Sequence, residues 1–136
     1  MRYISVIMIV AILAGCGSPP DTPATVITGK AARAAVVYLK DGLGHEVTTN
    51  TSPDGIYVLN TNGLQKPMIL KAVYSNASTH FAVSGGNTGT VNIDSLSTGL
   101  LSIAVVGVNL LELYLTIKIE VLTLIVKVVD ALKAAL

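Results

Sequence analysis

Between residues 26 and 93 the apolar positions fall in short runs divided by Gly, Asn, Asp and Pro. "VIT" (26–28) leads into Gly29, and "AVVYLK" (35–40) stops at the turn "DGLG" (41–44). "HEVTTNT" (45–51), "IYVLN" (56–60), "MILKAVY" (68–74), "THFAV" (79–83) and "GTVNI" (89–93) follow, with "SPDG" (52–55) and "TNG" (61–63) as turns. The runs are too short for helices and rich in Val, Ile, Thr and Tyr. They predict about seven strands of a small antiparallel β-sandwich or barrel. Within "TTNTSPDGIYVL" a Thr-rich run, an Asp-Gly turn and an alternating run predict a hairpin with Tyr57 and Leu59 pointing inward.

The pattern changes after Asp94. Of the 37 residues from 100 to 136, 26 are apolar and six are charged. Ser95 or Asp94 is placed to cap a helix running to about Val106 and ended by Gly107. Asn109 with Glu112 resembles a capping box for a second helix reaching about Ala134. Asn109, Glu112, Thr116, Glu120, Thr123, Lys127 and Asp130 recur every three or four residues and form one narrow polar stripe; Lys118 lies off it. A strand competes over Leu113–Val121, where apolar and polar residues alternate, but the helical stripe runs longer.

A helix with so thin a polar stripe has to bury most of its girth, and a small sandwich covers one side only. The preceding helix and a second copy of the protein are the expected covers. Leu110, Leu113, Ile117, Leu124 and Val128 are the residues expected to make the docking contact. The charged residues interrupt any run long enough to span a bilayer. The polar face is too thin and too mixed in sign for a helix lying in the membrane interface.

The N-terminus has its own pattern. Arg2 precedes a run from Ile4 to Leu13 that is apolar except for Ser5, the layout of a secretory signal peptide. That run closes on Leu13-Ala14-Gly15-Cys16, which resembles the lipobox of bacterial lipoproteins. The resemblance implies cleavage between Gly15 and Cys16, with palmitate-type acylation at Cys16. It places the protein on a membrane of the bacterial cell envelope. Gly17 rather than Asp after the cysteine points to the outer membrane, where the organism has one. Several acyl chains hold a protein where a single chain binds only reversibly. "GSPPDTPAT" (17–25) then reads as a Pro-rich tether.

The sandwich region resembles the carboxypeptidase regulatory-like domain, a prealbumin-like (transthyretin-like) β-sandwich. The matching residues are Gly29, Ala35-Val36, the set Asp54-Gly55, Tyr57 and Leu59, the segment "GLQKPMILKA" (63–72) and "VNIDSLST" (91–98). The loop between the first strands is shortened to "KAARAA" (30–35), and Ser95 stands where Pro is common. The resemblance implies a non-catalytic module for folding, spacing or adhesion, and no peptidase activity. The expected organisation is a signal peptide (1–15), a lipidated cysteine and tether (16–25), a sandwich (26–94) and a tail of one or two apolar helices (95–136), a mainly β protein.

Composition narrows the chemistry. Nine Lys and Arg against eight Asp and Glu, one of those cations in the leader, give no electrostatic footprint for nucleic acid. The single cysteine leaves no internal disulfide. His45 and His80 are the only imidazoles and read as solvated strand residues, so no zinc set, cofactor or acid–base pair is expected. Asp41, Glu46, Asp54 and Asp94 have the right oxygen chemistry for calcium, but no spacing joins them. "SGGNTG" (84–89) lacks the Lys of a phosphate-binding loop, and "AVSGGN" lacks a nucleophile elbow. The sequence thus predicts a structural or binding module rather than an enzyme, acting through self-association or an envelope partner. The competing expectation is a lipoprotein that holds a small apolar or carbohydrate ligand between sandwich loops and tail.

Overall fold

The computed structural model describes residues 25–136, so the leader, Cys16 and most of the tether lie outside the described residues. Seven strands form two sheets: β1 (Val26–Lys30), β2 (Ala35–Asp41), β3 (Glu46–Asn50), β4 (Ile56–Asn60), β5 (Met68–Tyr74), β6 (Thr79–Ser84) and β7 (Gly89–Thr90). Three helices follow: α1 (Ser95–Ala104), α2 (Leu110–Thr116) and α3 (Ile119–Ala134). The protein is mainly β with a helical tail, as the pattern predicts.

The three-stranded sheet has the order β4-β1-β7 and the four-stranded sheet the order β3-β2-β5-β6. All pairs are antiparallel except β1 with β7. Between the sheets Ile27, Val37, Leu39, Tyr57, Leu59, Met68, Leu70 and Ile93 form one core. On the outer side of the four-stranded sheet Ile69, Phe81 and Val83 meet Leu101, Leu113, Tyr114, Leu122 and Ile125 in a second core. The molecule therefore has three layers, sheet on sheet on helices. The middle sheet is buried on both faces, which is why "MILKAVY" is a near-continuous apolar run.

Tyr57 and Leu59 point inward as expected, but β3 and β4 are not a hairpin. β3 pairs with β2, and β4 pairs with β1 in the other sheet. The "SPDG" turn is closed by Ser52 N–H to the Ile56 carbonyl at 2.8 Å and by Gly55 N–H to the Ser52 carbonyl at 2.9 Å. It carries the chain across from one sheet to the other. Alternation fixes which face of a strand is buried; it does not fix the partner strand. Gly29 is required because a Cβ there would overlap the Val91 carbonyl oxygen, at 1.8 Å.

The free edge of β6 is covered by α1. Asp94 caps this helix in a reciprocal box with Ser97, each side chain accepting the other's backbone N–H at 2.9 Å. The Phe81 N–H donates to the Thr98 hydroxyl at 2.8 Å, and the Ser97 hydroxyl donates to the Phe81 carbonyl at 2.8 Å. An edge that would otherwise offer itself to another strand is thus satisfied by side chains. The helix ends at Ala104, two residues short of the expected Val106, and Gly107 with φ of 86° sits in the turn that follows.

The expected long helix is two helices. Ile117 and Lys118 are extended, with ψ near 141° and 154°, and α3 restarts without a side-chain cap. The break falls in Thr116-Ile117-Lys118-Ile119, the β-branched centre of the alternating stretch, where helix propensity is weakest. Burial of Ile117 in the second core holds the extended geometry.

Asp41 is fully buried at the end of β2. Its carboxylate accepts N–H groups from Leu43 (3.0 Å), His45 (2.7 Å) and Gln65 (2.8 Å) and meets His45 Nδ1 at 3.1 Å. Burial alone would raise its pKa, but these bonds, with Gln65 and His45 foremost, hold it below the ordinary carboxylate value. Its stabilisation is therefore complete above about pH 4 and disappears as pH falls through the depressed folded value. We expect Asp41→Asn to cost about 2 kcal/mol in urea unfolding at pH 7 and much less at pH 2–3. An equal cost at both pH values would contradict this role.

Candidate docking surface

The second core is fastened by polar groups that the sequence analysis did not single out. Tyr114, on α2, is buried, and its hydroxyl donates to Glu46 on β3 at 2.6 Å. Burial and then this acidic partner raise the phenol pKa far above its usual value. Lys71 lies on the helix-facing side of β5, its ammonium 4.6 Å from the Tyr114 ring centre and 4.7 Å from that of Tyr38. Lys40 Nζ donates to the carbonyls of Tyr114 (3.1 Å) and Leu115 (2.8 Å). Those carbonyls lose their intrahelical donors because the helix breaks at Ile117, so a β2 lysine caps the end of α2. A charged residue inside an apolar strand, Lys71 in "MILKAVY", was the one visible signal of this cluster.

Gly42 completes the contact between the sheet and the helices. A Cβ there would lie 2.6 Å from Ile119 Cγ1, so the β2–β3 turn packs directly on the start of α3.

Of the residues expected to dock a partner, Leu113 and Ile117 are instead buried in the second core, and Leu110 packs against it. Leu124 and Val128 are exposed, at 63% and 45%. This division has a simple origin: the break at Ile117 re-aims the two halves of the tail, so one spacing rule cannot describe both. The seven polar residues are all exposed, divided between two helices and the cap before them rather than lying along one.

The outer side of the helical layer remains strongly apolar. Leu96 and Ile103 on α1, Val106 and Val108 in the following turn, and Leu111 and Leu115 on α2 are exposed. Val121, Leu124 and Val128 on α3 and Leu136 at the C-terminus join them. Single exposed apolar residues are ordinary, but ten of them on one helical layer are not. Two more exposed apolar residues, Ile56 and Val58, lie on the outer face of β4. No helix among the described residues is long and apolar enough to cross a membrane.

A cleft of about 350 Å³ opens where β6 and the strand-to-helix connection meet α1 and the end of α3. Its walls include Val83, Val91, Leu96, Leu100 and Val129, with Asn92, Asp94 and Lys133 as polar groups. The candidate calcium carboxylates do not converge. Asp41 is saturated by N–H donors, Glu46 takes Tyr114, Asp94 caps α1, and Asp54 is an exposed turn residue. Among the described residues no three His, Asp or Glu are grouped to hold a metal ion. His45 leans on Asp41 from the surface, and His80 Nδ1 lies 3.0 Å from the Tyr74 hydroxyl, with the two rings edge to face. "SGGNTG" is the β6–β7 loop, tied down by the Thr61 hydroxyl donating to the Asn87 carbonyl.

If Tyr114 fastens the helices, Tyr114→Phe should cost about 1–2 kcal/mol and Tyr114→Ala about 3–5 kcal/mol. Hydrogen exchange should then rise first in residues 110–134 while β2 and β5 stay protected. Uniform loss of protection would contradict that role. No family model matches this chain, and no curated protein or solved structure matches it.

Proposed function

We propose that this protein is a lipid-anchored module of the bacterial cell envelope, held at Cys16, whose helical layer docks onto another protein surface. The docking half rests on one observation, the apolar outer face that α1, α2 and α3 leave exposed after closing their own core. The anchor half rests on the leader and the lipobox-like "LAGC". The sandwich serves as a rigid carrier, consistent with the carboxypeptidase regulatory-like resemblance of residues 26–94. The reading is non-catalytic, because the polar side chains described above are spent on caps, turns and the helix fastening.

A second reading is supported by the cleft beside α1, whose volume and mixed apolar and polar walls suit a small apolar or carbohydrate ligand. Native mass spectrometry separates the two, since a small molecule retained through purification supports ligand binding over docking.

The anchor is tested by feeding labelled palmitate to cells that make the full chain. The wild type should take up label and sediment with membranes, and Cys16→Ser should lose both. Label or membrane attachment surviving Cys16→Ser would overturn the anchor.

A further inference from the structure

Around α3 the side chains sort into three stripes rather than two. Leu122, Ile125, Val126 and Val129 face the second core. Glu120, Thr123, Lys127 and Asp130 form the exposed polar stripe. Between them on the outer side run Val121, Leu124, Val128 and Ala131, all exposed and spaced three, four and three residues apart. That spacing is a heptad seam, with Val at the first kind of position and Leu then Ala at the second. Apolar residues at both kinds of position are what a helix-to-helix seam requires.

We infer that this seam is the contact through which two copies of the protein pair, α3 against α3. The inference rests on the reading of the helical layer as a docking surface and names its occupant. Two observations favour a second copy over a bilayer or an unrelated partner. The seam's polar border carries both signs, Glu120 and Lys127, whereas a helix seated on anionic lipid carries a broad basic face. Those two charges are self-complementary. With the helices antiparallel about a two-fold axis beside Leu124, Glu120 of each copy approaches Lys127 of the other, and Leu124 packs on its own counterpart. Tethering at Cys16 confines the copies to one membrane surface, where effective concentrations reach roughly the millimolar range, so two heptads suffice.

The test uses the full acylated chain in its membrane, where Cys16 is consumed by the anchor. Leu124→Cys should give a covalent dimer with a short bifunctional maleimide, at least tenfold more than Val58→Cys on the opposite sheet. Adding Val128→Lys, or Val121→Lys in its place, should cut that cross-linking at least fivefold. Both positions are exposed, so neither change disturbs a core. Cross-linking of Leu124→Cys no stronger than that of Val58→Cys, or indifferent to both lysines, overturns the seam. In that event a photoactivatable cross-linking residue at Leu111, which needs no thiol on the partner, decides the broader reading. If it cross-links to a protein, docking by the helical layer survives and only the seam falls; if it does not, both fall.

Discussion

The four-stranded sheet buries apolar side chains on both faces, and the rest of the architecture follows from that constraint. β5 sends Met68, Leu70, Ala72 and Tyr74 toward the other sheet and Ile69 toward the helices. A sheet of this kind needs two covers. The three-stranded sheet supplies one, and the segment after Asp94 must supply the other. The helical tail is therefore a structural layer before it is anything else. That is why Leu113 and Ile117, which look available for docking along the sequence, are spent inside the molecule.

Closing the sheet does not use up the apolar surface of the tail. A helix covering a sheet needs one apolar stripe, and α3 has two, separated by polar residues on one side. The second stripe is in excess of what the fold requires. Exposed apolar surface of this extent is what interaction sites present. The polar fastening by Tyr114, Lys40 and Lys71 matters here because it fixes how the helices lie on the sheet, and so which stripe faces outward.

Much of this was legible in the residue pattern. Strand runs bounded by Gly, Asn and Asp located all seven strands within a few residues, since alternation and turn chemistry are local properties. The polar stripe from Asn109 to Asp130 identified a helical tail for the same reason. What was not legible is non-local. The "SPDG" turn looks like a hairpin until β1 is known to claim β4. The break at Ile117 depends on a pocket in the second core, although the β-branched stretch around it did register as strand-like. Asp41 stood out only as the first residue of the "DGLG" turn and as one of four unconnected carboxylates, and one of the donors that hold it, Gln65, comes from another loop. Of the docking residues expected, Leu124 and Val128 lie outward, because they are on the half of the tail beyond the break.

The central claim is that a second copy covers the outer face of the helical layer. Light scattering on the chain from residue 16, with Cys16→Ser, tests it without the membrane. A weight-average mass that climbs from one chain toward two as concentration rises to about a few hundred micromolar is the expected result. A mass fixed at one chain across that range would contradict it.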